Sequence, residues 1–164
     1  MAWTGDKKAI VAALVEHITA DMRRNMAGQQ ATHEGATHAE AKPENDKDTR
    51  AIEAQYLARG LAMRVEQQRD DIARLQAMRL ASFDEETPIA LSAVVELVDA
   101  AEAPERYFIT AVGGGLRVRV EGVDLIAVTA SSPMGRALLG RFVDDDITVP
   151  TPSGPRYLSV VSVS

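Results

Sequence analysis

The sequence contains no cysteine. That excludes disulfide frameworks, Cys-ligated zinc, iron–sulfur clusters and thiol catalysis. Aromatic residues make up only 4% of the chain, too few for a stacking platform on single-stranded nucleic acid. No run of about 18 apolar residues appears, and residues 1–6 lack a basic segment leading into an apolar one. The expectation is a soluble cytoplasmic chain with no membrane role. Positive charge is not in excess either: 18 basic against 24 acidic residues give a formal net charge of −6. Proteins whose main partner is naked duplex are usually basic, so no affinity for free DNA is expected. What is present, 46% hydrophobic and 26% charged residues over 164 positions, is enough to fold one ordinary domain or two small ones.

The charge is unevenly spread. Residues 1–80 carry 12 basic and 12 acidic residues, whereas residues 81–164 carry 6 and 12, so the second half holds the whole excess. The hydrophobic period changes at the same place. Thr4 and Asp6 are cap candidates, and Ile10, Leu14, Ile18, Met22 and Met26 then recur every four residues, flanked by Val11 and Val15. This predicts a helix from about 6 to about 30. Residues 31–42 lose the period and either prolong the helix or form a loose tip. A second helix is predicted from near Pro43–Asp46 to about Leu80, with Ile52, Tyr56, Leu61, Val65, Ile72, Leu75 and Met78 as its seam and Gln67, Gln68 and Arg69 interrupting it. A 35-residue helix spans on the order of 50 Å. Such a helix cannot be buried in a domain of this size. The prediction is an antiparallel coiled-coil hairpin over 1–81 with a projecting acidic tip near 31–48.

Residues 82–88 read as a linker, and beyond them the period is two. Strands are predicted at 89–98, 106–112, 116–120, 123–130, 147–150 and 157–163, with Gly113–Gly114–Gly115 as a hairpin turn between the second and third. One short helix interrupts them: Ser132 caps it, Pro133 takes its first turn, Met134, Ala137, Leu138 and Leu139 face the sheet, and Gly140 ends it. Residues 89–164 therefore form a small α+β domain, mostly antiparallel, with one helix.

Candidate sites are few. Glu34, Glu40, Glu44, Asp46 and Asp48 crowd within fifteen residues, opposed by Lys42 and Lys47. Acids favour a helix N-terminus through its dipole. A stalk tip rich in carboxylates is also what delivery of a metal-binding group requires. Spacing alone leaves both readings open. His33 and His38 lie five apart, whereas helical metal pairs prefer three or four, so solvated histidines are expected. The three glycines at 113–115 lead into a strand with no Lys-Ser/Thr pair, which rules out a phosphate loop. Asp144–Asp145–Asp146 reads as a solvated turn. No nucleophile–base set is indicated, so independent catalysis is not expected.

The run SSPMGRALLGRFVDDDITV followed by GPRYLSVVSV resembles the closing signature of the bacterial Gre transcript-cleavage factors, the GreA/GreB family. Ser132, Pro133, Ala137, Leu138, Leu139, Gly140, Asp145 and Tyr157 stand at matching places, and a hairpin followed by a sheet domain is the family's order of parts. The family tip usually reads Asp-Leu-x-Glu-Asn-x-Glu-Tyr. Here Glu44 and Asn45 match, while Ala41, Lys47 and Asp48 replace the leading acid, the later acid and the tyrosine, which marks a divergent branch.

The resemblance implies an FKBP-like sheet domain that docks on RNA polymerase through the Ser132, Pro133, Leu138, Leu139 and Gly140 region. It also implies a hairpin that enters the secondary channel and stimulates cleavage of backtracked RNA by the polymerase. Glu44, Asp46, Asp48 and Glu40 would then assist a Mg²⁺ shared with the polymerase, and Asn45 would position the tip. Hydrolysis of this kind uses two metals, and Mg²⁺ takes only one or two protein carboxylates, so an acidic tip can complete a site without being one. The chain would be a monomeric cofactor of the polymerase and not an enzyme. Alternatives are a channel-binding regulator without cleavage activity and, from another class, an FKBP-like chaperone or isomerase. The latter is disfavoured because residues 88–164 offer only Tyr107, Phe108, Phe142 and Tyr157 to line an aromatic pocket.

Overall fold

Asp6 begins the first helix as expected. Its carboxylate accepts the Lys8 N–H at 2.9 Å while its carbonyl accepts the Ala9 N–H, so two otherwise orphaned donors are satisfied. The structure is a computed structural model describing residues 3–38, 46–101 and 103–164. In chain order it contains α1 (Lys7–His38), α2 (Asp46–Gln76), β1 (Val94–Val98), β2 (Pro104–Thr110), β3 (Arg117–Val120), β4 (Val123–Thr129), α3 (Pro133–Leu138), β5 (Asp146–Val149) and β6 (Arg156–Val163). Two compact units emerge, one of residues 1–15 with 74–164 and one of residues 16–73. The first helix continues to His38, so most of the 31–42 stretch prolongs it. The second stops at Gln76, four residues short of the predicted end.

Within residues 16–73 the helices meet through a polar layer. Asn25 Nδ2 donates to Gln68 Oε1 at 3.1 Å, Gln68 Nε2 donates to Asp21 Oδ2 at 2.7 Å, and Arg64 lies 3.6 Å from that oxygen. The seven residues between the helices can span about 25 Å, whereas α2 is about 46 Å long. Helices in contact across so short a connection run antiparallel.

The seam differs from the predicted one. Covered positions on α2 include Ala54, Ala58, Leu61, Val65, Gln68, Ile72 and Leu75, alternating steps of four and three, which is a heptad seam; Ala62 and Asp71 flank it. Ile52 and Tyr56, predicted in the seam, are 52% and 73% exposed. Extending the repeat back from Leu75 and Val65 reaches the two alanines instead. Gln68, read as an interruption, is a buried member of the seam.

Residues 74–164 build one mixed sheet in the order β3-β4-β2-β1-β6-β5. All neighbouring pairs are antiparallel except β2 with β4. That parallel pair corrects the reading of Gly113–Gly115 as a hairpin turn. The chain leaves β2, passes to the sheet edge to form β3, and returns as β4 between them. The true hairpin is β3–β4, turned by Glu121 and Gly122 at φ 53° and 82°, which is the positive-φ pair that a tight two-residue turn demands. Strand β1 also begins later than predicted, at Val94. Ahead of it the fully buried Ser92 takes φ 73°, its Oγ accepts the Ala81 N–H and its N–H donates to the Ile109 carbonyl. Residues 89–92 therefore serve as an anchor for the linker rather than as strand.

The core lies on the sheet face that carries Val95, Leu97, Tyr107, Ile109, Val128, Leu158 and Val160, and Leu138 of α3 covers it. Met134 and Ala137 pack there as expected. Leu139 does not: it is 37% exposed, because the chain leaves the helix at this residue and turns outward through Gly140 at φ 78°.

Candidate functional site

The α3 region is set by a small hydrogen-bond knot. Ser132, at an extended φ/ψ, accepts the Gly135 N–H on its Oγ at 3.0 Å and donates the same hydroxyl to the Thr129 carbonyl at 2.8 Å. The Thr129 carbonyl also accepts the Ser132 N–H. Pro133 occupies the first turn, where its missing N–H costs nothing. Arg136 closes the knot by donating to the Ser131 carbonyl.

Gly135, which sequence reasoning passed over, is the reason α3 can lie so close to the end of β4. A methyl group built on it would fall inside the van der Waals envelope of the Thr129 carbonyl oxygen, 2.8 Å from its carbon. The signal was present as a glycine inside a helix, where it is otherwise unfavourable.

Leu138 is fully buried and seats the helix from below. The side facing solvent carries Pro133, Leu139 and Gly140. Two backbone bonds, Ile89 N–H to Arg141 carbonyl and Gly140 N–H to Ile89 carbonyl, both 2.8 Å, tie the 89–91 segment to the 140–142 turn. Exposed large apolar residues thus come from both: Leu91 (42%), Leu139 (37%) and Phe142 (41%). Leu91 and Phe142 were not singled out from the sequence, since nothing local distinguishes them from core residues. The acidic triplet beside them is structured. Asp145 accepts the Phe142 N–H at 2.9 Å, Asp144 takes φ 69°, and Asp146 opens β5 and accepts from Ser159.

At the opposite end of the core face the sheet turns polar. Glu105 accepts two bonds from Arg156, the shorter at 2.8 Å, and one from the buried Tyr107 phenol. The Arg156 hydrogen bond holds the Glu105 carboxyl below its ordinary value of 4.5, and burial pushes the Tyr107 phenol up to about 12. A depressed carboxylate adds stability above its unfolded pKa and loses it as pH falls through the folded one. Arg156→Met should therefore cost about 1 kcal/mol at pH 7, as a half-exposed pair does. Urea unfolding should show that gap closing below pH 4.5.

Glu40, Glu44 and Asn45 lie outside the described residues, and of Asp46 and Asp48 only the backbone is described, in the first turn of α2. Among the described residues no group of three or more His, Asp or Glu side chains is arranged to hold a metal, and no helix is long and apolar enough to cross a membrane.

Two long antiparallel helices precede a six-stranded mixed sheet with one helix on its core face, and comparisons with known proteins give the family. A sequence model described as "Transcription elongation factor, GreA/GreB, C-term" matches residues 85–164. Transcription elongation factor GreA of Xanthomonas axonopodis pv. citri is 31% identical over 132 residues, covering 80% of this chain and 77% of that protein. GreA of Xylella fastidiosa is 32% identical over 131 residues, covering 79% and 77%. Among solved structures, GreA factor homolog 1 (Gfh1) of Thermus thermophilus is 22% identical with a TM-score of 0.40, over 93% of this chain and 95% of that one. The chain belongs to the GreA/GreB family of transcription elongation factors.

Proposed function

We propose that this chain acts on RNA polymerase as a cofactor, stimulating the polymerase's own hydrolysis of backtracked RNA, and is not itself an enzyme. The observation that carries the reading is the pairing of two helices of 32 and 31 residues, with Glu40, Glu44, Asp46 and Asp48 in the sequence where the first gives way to the second, in a chain of this family. Helices about 46–48 Å long can carry carboxylates deep into a channel.

In this reading the Ser132, Pro133, Leu139 and Gly140 surface docks on the polymerase, with Leu138 holding it in place and Leu91 and Phe142 extending it. Exposed apolar residues clustered on one surface are the usual mark of a protein contact. Glu40, Glu44, Asp46 and Asp48 are the carboxylates offered at the tip, with Asn45 positioning them. Carboxylate oxygens are the donors that a hard cation such as Mg²⁺ prefers. A Mg²⁺ held by the polymerase would supply charge stabilisation for in-line displacement by water. The chain's own contribution is to bring one or two carboxylates to that centre.

Ala41 and Lys47, where the family tip carries acids, favour a second reading: a channel-binding regulator without cleavage activity. A stalled, backtracked elongation complex given this protein and Mg²⁺ separates the two. Short 3′ cleavage products support the first, and channel occupancy without products supports the second.

The partner in either case is a protein surface. Residues 81–164 carry six basic and twelve acidic residues, which repel phosphates. A gel shift with free duplex at moderate salt should show no sub-micromolar binding.

A further inference from the structure

Strand β3 lies at one edge of the sheet, and among the described residues it pairs with β4 alone. Val120 and Val123 flank the two-residue turn at Glu121–Gly122, so they exchange both ladder bonds, and Val118 with Leu125 is the next such pair. Leu116 continues the alternation, its carbonyl accepting the Ala127 N–H at 2.8 Å. The intervening Arg117 and Arg119 therefore turn their N–H and C=O groups to the free side. An open edge of this kind is a template for another strand.

Arg117 stands in register with Ile126 and, beyond it, Tyr107, and the three line a cleft of about 450 Å³ together with Arg106 and Arg156. Arg106 is held by Glu96 at 2.6 Å and Arg156 by Glu105 at 2.8 Å. Arg119 lies 3.9 Å from Asp124, and both are well exposed. Arg117 has no ion-pair or hydrogen-bond partner among the described residues. Four of the six basic residues of 81–164 thus gather around this edge and its cleft, in a half of the chain that carries twelve acidic residues.

We propose that the β3 edge docks an extended acidic segment of a partner protein, which joins the sheet as a further strand. The segment's main chain meets the free groups of Arg117 and Arg119, the strand-addition mode of peptide recognition. The two arginines share a face, so the segment carries carboxylates two residues apart opposite them, with an apolar residue between on the Val118 side. A second β3 does not fit, because it would set arginine against arginine. A nucleic acid does not fit either, because Asp124 beside Arg119 and Glu105 in the cleft would meet its phosphates with like charge. None of these residues belongs to the surface proposed to meet the polymerase.

A labelled Thr-Val-Glu-Val-Glu-Val-Thr peptide titrated with the full chain should show a saturable rise in fluorescence anisotropy. At saturation, hydrogen exchange at the Arg117 and Arg119 amides should slow about tenfold or more, which charge attraction without strand pairing does not produce. Arg117→Glu with Arg119→Glu should weaken binding about tenfold or more, and a peptide with lysine in place of both glutamates should restore it in that variant. Both side chains are exposed, so the double variant keeps the fold. Absence of saturable binding, unchanged exchange at saturation, or equal binding of the lysine peptide to the unaltered chain would overturn the proposal. So would tighter binding of a single-stranded oligonucleotide, or self-association of the chain through this edge that the peptide does not displace.

Discussion

Gly135→Ala should lower the stability of the unit formed by residues 1–15 and 74–164 by about 3 kcal/mol or more, at the upper end of what overpacking costs. The new methyl group would meet backbone rather than a side chain that can rotate away: the Thr129 carbonyl oxygen first, then its carbon at 2.8 Å and Ser132 Oγ at 3.1 Å. That carbonyl cannot swing aside without breaking two bonds, from the Ser132 N–H at 3.0 Å and the Ser132 hydroxyl at 2.8 Å. Relief requires α3 to lift, which uncovers Leu138 from the core. Thermal unfolding should fall by about 10 °C for a chain of this size. Gly60→Ala is the matched control. Gly60 lies inside α2 with nothing within 4 Å of a built Cβ, so alanine there should stabilise the helix by about 0.5–1 kcal/mol. If both variants unfold alike, the close approach of α3 to Thr129 is not what holds the region.

The second large effect is expected at the tip. In transcript-cleavage assays Glu44→Ala with Asp48→Ala should reduce product formation by about 10- to 100-fold, the range seen when a carboxylate supporting a metal centre is removed. Competition for the polymerase channel should stay within about twofold of wild type, since the proposed docking residues lie in the other unit. Acids in a helix's first turn, where the backbone of Asp48 lies, contribute about 0.3–1 kcal/mol through the helix dipole. A change of that size does not unfold a helix paired along a heptad seam. Undiminished cleavage by the double variant would remove the metal-assisting role from these two acids. A wild-type chain that occupies the channel and yields no product would transfer the weight to the regulator reading, through Ala41 and Lys47.

Several features were legible in the residues alone because their causes are local. The Asp6 and Ser132 caps follow from side-chain oxygens placed where backbone N–H groups lack partners. The short helix starting at Pro133 and the six strands follow from period and punctuation. Family membership was legible in the 131–163 signature, because that signature encodes α3 and its neighbouring strands almost without interruption. The missing cysteines and the acidic second half bounded the chemistry without any coordinates.

Other features depend on residues far apart in the chain, and only the tertiary structure decided them. Which face of α2 is buried was set by the pairing of Asp21 and Asn25 with Gln68, which draws Ala54 and Ala58 into the seam and leaves Ile52 and Tyr56 outside. Apolar size alone pointed to the wrong pair. The parallel match of β2 with β4 turned three glycines from a hairpin into a passage to the sheet edge, and moved the hairpin to Glu121–Gly122. Ile89 became the partner of Gly140 and Arg141 only through two backbone bonds between segments some fifty residues apart. The burial that lowers the Lys7 pKa to about 8 comes from a cleft it shares with Leu80, Ser82 and Ser164, more than seventy positions away. Local propensity and period are written in neighbouring residues, whereas register, strand order and desolvation arise from contacts that form only once the chain has closed on itself.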